Sequence, residues 1–558
     1  MHDLVIRNAS LVDGLGTPRY RSDLAVADGR IAAIGHDLGA ARVAIDADGL
    51  MLAPGIIDGH THYDAQITWD AYADPSPAHG VTTLVIGNCG FTIAPCRPAD
   101  RDLTMRNLTH VEGMSLEALQ HGITWDFETF PEYLDMLSRR GVGPNVAAFV
   151  GHSSLRTYVL GGEAARRAAT DAEIAEMQRL VREAMRVGAV GFATSTSESH
   201  NGEAGIPMPS RLAEERELRA LVSAMGDSGR GVFMLTRGSA TSIPYLETLA
   251  AACGRPVVVA AMFYNHLEPD SVFLLNDQMR AARTRGHNLI PQVSCCPLTM
   301  EFTLQSPYVF ESLPAWAPAM AAHGDALKRL YADPKFRTAV KDDIARGRGL
   351  LFKGEWHKLH VVDVADPAHK ALEGRSIAEL AAAAGQDPLD WFLDFGLTED
   401  LGTLFTGVLL NADERGVGRL LTDPDNHVSL SDAGAHLTFF CDAGFGLYLI
   451  GHWARDLGTL TIEEAVRRLT SQPAAMFGIR DRGRLAPGAA ADLLLFDPAT
   501  VDRGPARRAN DLPAHAARLV TSPVGVHGVW VNGRRVADES GLIDRRAMPG
   551  RVLREFAS

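Results

Sequence analysis

The sequence predicts an α/β protein: a (β/α)8 TIM barrel carrying a small β-sandwich domain formed by both chain ends. Three observations point there. Short apolar runs alternate with amphipathic stretches through the middle of the chain, the pattern of parallel strands crossed by helices. Residues 1–54 and 485–548 read instead as short strands punctuated by Gly and Asp-Gly turns. The 558 residues exceed one ordinary core and suit a large barrel with a satellite.

The elements follow in chain order. "DLVIRNASLVDG", "DLAVADGRIAAIG" and "AIDADGLMLAPG" supply the N-terminal strands. "APGIIDGHTH" opens the barrel, followed by "GVTTLVIGN", "NVAAFVGH", "AVGFATSTS", "GVFMLTRG", "RPVVVAAMF", "NLIPQVS", "GLLFKGEW" and "HVSLSDAG", about nine candidates for eight places. Between them, "DAEIAEMQRLVREAMRVG" has apolar positions at helical spacing, and "AELAAAAGQ" is a run of helix formers. Residues 297–347 fit the alternation poorly and read as an excursion over the barrel mouth, a lid. "AADLLLFDPATV" and "GVHGVWVNGRRV" return to short strands, with Asn532-Gly533 as a two-residue hairpin signal. The expected domains are therefore 1–54 with 485–548 as the β-sandwich, and 55–484 as the barrel, interrupted around 297–347.

Composition excludes several classes. With 46% hydrophobic and 22% charged residues the chain is globular and soluble. A net charge of −14 without a basic face argues against nucleic acid. No run of about 18 apolar residues suggests a membrane span. "MHDLVIRNAS" lacks the basic and apolar segments of a signal peptide, so a cytoplasmic location is expected. The six cysteines are sparse and show no CxxC spacing, which argues against a disulfide framework.

The chemistry begins at "LAPGIIDGHTHYDAQ", residues 52–66. Alternate side chains of a strand share a face, so His60 and His62 point the same way. The pair falls at the C-terminal end of a barrel strand, where such barrels place their active sites. Two imidazoles converging there suit a divalent metal, most often zinc, although a lone His-x-His has many other uses.

"LAPGIIDGHTHYD" resembles the strand-one signature of the amidohydrolase superfamily, a metallo-(β/α)8 barrel carried by a β-sandwich. "VTTLVIGNCGFTIAPC", "NVAAFVGHSSLR", "EEAVRRLTSQPAAMFGIRDRGRLAPGAAADLLLFDP" and "GVWVNGRRV" resemble its N-acyl-D-amino-acid deacylase (D-aminoacylase) branch. The resemblance spans nearly the whole chain. It implies Cys89 of Gly-Asn-Cys-Gly as a metal ligand, a residue that on its own would read as a buried small hydrophobe. It also implies Asp432 of "VSLSDAGAH" as the residue that touches the metal and acts as general base. Ser-Asp-Ala-Gly alone could equally be a turn.

The chain departs from the branch in two places. Where a strand-five histidine is expected, Leu235 or Thr236 stands, and Ala261 occupies the strand-six slot. Three readings follow: His266 swings back as a ligand, His152 joins the site, or one metal sits on His60, His62, Cys89 and Asp432 with the second site empty. The last is preferred, since one ion and one water suffice for hydrolysis. The branch's His-Pro-Arg segment for the substrate carboxylate is also missing from "SDAGAHLTFFCDAGFGLY". Arg237, or Lys353 with Glu355, is a candidate for polar recognition, and Ser195, Ser197 and His200 are further candidates at the mouth. The expected activity is metal-dependent hydrolysis of the amide of an N-acyl amino acid or related small molecule, with one or two divalent ions, Zn2+ by preference. Alternatives on the same fold are cyclic-amide hydrolysis, deamination, or ligand binding by a barrel without its metal. A homo-oligomer fits the superfamily.

Overall fold

The structure, a computed structural model, describes residues 1–348, 351–437 and 441–558. It divides into two compact units, Met1–Phe263 with Leu267–Cys295 and Arg415–Ser558, and Tyr264–His266 with Cys296–Glu414.

The first unit holds an eight-stranded parallel sheet whose strands neighbour each other in chain order. They are β1 (Ile56–Asp58), β2 (Val81–Ile86), β3 (Asn145–Gly151), β4 (Gly191–Ser195), β5 (Val232–Thr236), β6 (Val257–Ala260), β7 (Leu289–Val293) and β8 (His427–Val428). Most of these strands are buried on both faces, which is why they read as continuous apolar runs rather than alternating ones. The sheet closes on itself just past β1 and β8. Gly59 N donates to Ser429 O (3.1 Å), Asp432 N to His60 O (3.0 Å) and His62 N to Ala433 O (2.7 Å). This seam is also where the candidate ligands lie.

Eight of the nine expected strands take barrel places. The exception is "GLLFKGEW": Gly349 and Leu350 lie outside the described residues, and 351–355 are irregular, leading into a 3-10 turn at Trp356–Lys358 rather than forming a strand. The helix expected from "DAEIAEMQRLVREAMRVG" is Asp171–Val187, opened by a Thr170/Glu173 capping box and closed by Gly188 in the left-handed region.

The chain ends meet in one nine-stranded sheet. His2–Leu11 lies beside Met51–Pro54, which pairs antiparallel with Leu493–Phe496; Val526–Val531 and Arg534–Asp538 follow. The last two strands are joined at Asn532 (φ 47°) and Gly533 (φ 79°), as the Asn-Gly turn requires. Leu4, Ile6, Leu24, Val26, Leu52, Leu493, Leu495 and Trp530 form its core. Burial of each such side chain contributes about 1.5–3 kcal/mol. Met51–Pro54 leads through Gly55 straight into β1, so the terminal sheet anchors the strand that carries the histidine pair.

The excursion expected over 297–347 is the first part of the second unit, which extends to Glu414. Its antiparallel sheet joins Leu298–Phe302 to Leu404–Leu410 and the latter to Leu359–Asp363. Phe302, Phe310, Trp316, Phe352, Phe392 and Phe405 are buried there, with Phe310 stacked on Trp316 at 4.3 Å. No helix among the described residues is long and apolar enough to cross a membrane.

Candidate metal centre

His60 and His62 follow β1, Cys89 sits in the turn Asn88–Gly90 after β2, and Asp432 follows β8. One ligand atom each from His60, His62 and Cys89 falls within a 4.8 Å cluster, and all three residues are buried. Cys89 Sγ is 3.5 Å from His60 Nε2 and 3.9 Å from His62 Nε2. Asp432 Oδ1 is 2.9 Å from His62 Nε2 and 3.4 Å from His60 Nε2. The four residues grouped from sequence therefore converge.

Local structure explains how each is held. Asn88 Nδ2 donates to Val85 O (2.8 Å) and Thr61 O (3.3 Å), tying the Cys89 turn to the histidine strand. Gly90 (φ 76°) has no room for a Cβ, which would stand 2.6 Å from Ala193 O. Ser431 Oγ donates to Asp58 Oδ2 (2.5 Å), fixing the loop that presents Asp432. Burial raises the Asp58 carboxyl to about 7 despite that hydrogen bond. Cys89 (φ 57°), Asp432 (φ 59°) and His436 (φ 53°) all hold left-handed backbone, a costly conformation for non-glycine residues that clusters at functional sites.

The ring orientations follow from the hydrogen bonds. Gln292 Nε2 donates to Ser429 O (3.1 Å), so its Oε1 faces His60 Nδ1 at 3.0 Å and accepts from it. His60 thus turns its Nε2 lone pair inward. His62 Nδ1 stands 3.0 Å from Glu112 Oε1, which likewise leaves its Nε2 facing the cluster. Two imidazole lone pairs, a thiol and a carboxylate confront one another at 2.9–3.9 Å. Such a set is reconciled only by positive charge between its members, either protons or a divalent ion, and its N, N, S, O chemistry fits zinc.

The charges are mutually coupled. Burial pushes the Asp432 carboxyl up, but the hydrogen bond from His62 and the charges of His62, His60 and His436 outweigh it and hold the group well below the carboxylate range. Burial likewise raises the Cys89 thiol, yet the charge and hydrogen bond of His60 bring it below its ordinary value. Burial disfavours protonated His62, but Glu112, Asp432 and Cys89 leave its pKa well raised.

The other candidates are distributed differently. Thr236, not Leu235, faces the cluster: its Oγ1 is 3.0 Å from Cys89 Sγ, where the branch would place a histidine. Arg237 follows, half-buried, with Nη1 donating to Gly238 O (3.3 Å). His200, its pKa lowered to about 3 by burial and then by the charge of His436, has Nδ1 2.6 Å from Ser195 Oγ and packs edge-on against Phe91. His152 does not join the site. It is fully buried, with Nδ1 2.8 Å from Thr194 Oγ1 and Nε2 2.8 Å from Glu217 Oε1, so both nitrogens are engaged in the barrel wall. His266 belongs to the second unit, 3.0 Å from Lys358 Nζ and 3.7 Å from Glu355 Oε1. Lys353 lies in the same unit, its backbone N donating to Glu355 Oε2 (2.7 Å). In the segment that replaces the His-Pro-Arg motif, Thr438, Phe439 and Phe440 lie outside the described residues.

Glu112 and Gln292 lie in no metal motif, and His436, the last residue of "VSLSDAGAH", was given no role from sequence. Glu112 ends the helix Arg101–Val111, and His436 Nε2 lies 3.7 Å from Asp432 Oδ2.

The sequence profile of the amidohydrolase family matches residues 43–288 and 352–537. A D-aminoacylase of Alcaligenes xylosoxydans xylosoxydans is 32% identical over 567 aligned positions, covering all of this chain and 98% of that protein. A crystal structure of an N-acyl-D-glutamate deacylase from Bordetella bronchiseptica, complexed with zinc and a phosphonate inhibitor, superimposes with a TM-score of 0.68 at 26% identity, covering 99% of this chain and all of that one. A D-aminoacylase structure described as having a binuclear metal centre gives the same TM-score at 25% identity, with both chains fully covered. The chain belongs to the amidohydrolase family, as a divergent member of its D-aminoacylase branch, and so to the hydrolases of carbon–nitrogen bonds other than peptide bonds.

Proposed function

We propose that this member hydrolyses the amide bond of an N-acyl amino acid or a related small amide, using a single divalent ion, zinc by preference. His60, His62 and Cys89 would hold the ion and Asp432 would touch it. The observation that carries this reading is the convergence of those three ligand atoms within 4.8 Å, with Asp432 Oδ1 2.9 Å from His62 Nε2. Bound there, the ion supplies Lewis acidity toward the amide carbonyl and lowers the pKa of a water molecule.

The remaining work falls to side chains. Gln292 and Glu112 keep both Nε2 atoms turned inward. Asp432 accepts a proton from the attacking water and returns it to the leaving nitrogen. Thr236 beside Cys89 and Ala261 after β6 support a single-ion centre, because neither a threonine hydroxyl nor a methyl group replaces an imidazole ligand. The D-aminoacylase and N-acyl-D-glutamate deacylase relatives support an acylated amino acid as the substrate class. Arg237, half-buried at the end of β5, is the candidate for its carboxylate.

The test is an Asp432→Asn protein, folded and carrying its metal, assayed on N-acyl D- and L-amino acids beside cyclic imides. The expected result is a loss of kcat of about 10²–10⁴-fold, the usual contribution of a general acid–base. Full activity in that variant would sink the assignment, and turnover of the cyclic imides alone would move the substrate class.

A further inference from the structure

Glu112 stands out among the buried charged groups. It is 2% exposed and closes a helix whose sequence, "RDLTMRNLTHVEG", carries no metal motif. A carboxylate taken out of water is costly unless charge or hydrogen bonds compensate it. Here the compensating group is the imidazole of His62, with Oε1 3.0 Å from Nδ1. The pair is a close charge contact without the linear geometry of a hydrogen bond, and neither atom has a hydrogen-bond partner among the described residues, so each has the other as its nearest compensating group. The backbone holds the arrangement from the far side: the Glu112 carbonyl accepts from His436 N, next to the loop that presents Asp432.

The two histidines are therefore supported unequally. His60 has a neutral amide behind it, the Oε1 of Gln292, and His62 has a carboxylate. We propose that Glu112 is a positioning residue for the metal centre, fixing the His62 ring with Nδ1 protonated and strengthening Nε2 as a donor. The inference rests on the single-ion reading above. A carboxylate behind a ligating imidazole fixes its tautomer and raises its basicity, and losing such a partner typically weakens metal binding about 10–100-fold. The role matters more here than in a site with imidazoles from strands five and six. With Thr236 and Ala261 in those places, two imidazoles and one thiolate carry the affinity.

The experiment is zinc titration of the full-length metal-free protein against a competing chromophoric chelator, for wild type, Glu112→Ala, Glu112→Gln and Gln292→Ala. Circular dichroism and thermal unfolding of each metal-free form run in parallel. The expected result is one zinc per wild-type chain, an affinity lower by about 10–100-fold in Glu112→Ala, and a smaller loss in Glu112→Gln, whose amide oxygen still accepts from Nδ1. Gln292→Ala should lose less than Glu112→Ala, because it removes a neutral partner. The cobalt-substituted Glu112 variants should keep the thiolate charge-transfer band, since Cys89 remains a ligand. A purely structural role would lower the unfolding temperature and leave zinc affinity unchanged, and that outcome overturns the inference alone. An oxygen ligand lost from the X-ray absorption spectrum of zinc-loaded Glu112→Gln would overturn it in favour of direct ligation. A wild type that takes up no zinc overturns both this inference and the single-ion reading. Should Glu112→Ala not fold, the isosteric Glu112→Gln decides.

Discussion

Asp432 is buried and pulled two ways, upward by desolvation and downward by His62, His60 and His436, and the downward pull wins. A strongly held carboxylate is a weak base toward water, so its proton-accepting role depends on water that is itself acidified. The same reasoning makes the residues beside Cys89 decisive for metal number. Installing the missing imidazoles, as Thr236→His with Ala261→His, should raise bound metal above one ion per chain, measured by elemental analysis after dialysis. If the double variant still binds one ion, Thr236 is not what limits the count. Of these residues, His60, His62, Cys89 and Asp432 were legible because each sits in a short string at a strand end. Glu112 and Gln292 were not, since they meet their histidines across 50 and 232 positions of chain and leave no local pattern. Thr236 could not be separated from Leu235 until the face each presents was known.

At the scale of elements, the barrel wall is tied internally by a charged cluster around His152, a residue that sequence reading weighed as one possible addition to the site. His152, at the start of the helix after β3, is bonded to Glu217 in the helix Glu215–Gly226, which also pairs with Arg156. Glu217→Ala strands a buried guanidinium and should cost about 3–5 kcal/mol of stability, measured by denaturant unfolding. Burial raises the Glu217 carboxyl, but the hydrogen bond and charge of His152 and those of Arg156 bring it below the ordinary glutamate value. Burial lowers His152 below 6.5. In both cases the unfolded chain binds the proton more readily, so each contribution is lost as pH falls. His152 begins to cost stability below about pH 6.5 and Glu217 below about 4.3. Wild type should therefore lose stability below about pH 6.5, and Glu217→Gln, which removes the charge that holds the His152 pKa up, should lose it more steeply between about 6.5 and 4.3; identical profiles would contradict the assignment. His152 misled because a histidine at a strand end looks the same whether it faces the mouth or the wall. "GLLFKGEW" misled because a short apolar run fits a strand or a loop equally well without its partners.

For the molecule as a whole, the candidate ligands other than Cys89, which follows β2, come from the two ends of the parallel sheet. His60 and His62 follow β1, Asp432 follows β8, and the seam between them is closed by Gly59–Ser429, His60–Asp432 and His62–Ala433 backbone hydrogen bonds. A bound ion would therefore brace the closure. Chelation should lower the unfolding temperature, since a ligand at 100 times its Kd stabilises by about 2.7 kcal/mol. It should also speed amide exchange at 59–62 and 429–433 more than in the terminal sheet. The overall architecture was legible because barrel strands and terminal hairpins each write their own periodicity. The extent of the second unit was not, because its sheet pairs Leu298–Phe302 with Leu404–Leu410, more than a hundred residues apart, across helices that resemble barrel helices. The measurement that bears most directly on the account is the zinc content of protein purified without added metal, for wild type, His60→Ala and Cys89→Ala. The account predicts about one zinc per wild-type chain and none in either variant. Two ions per chain, or none even after reconstitution, would contradict it.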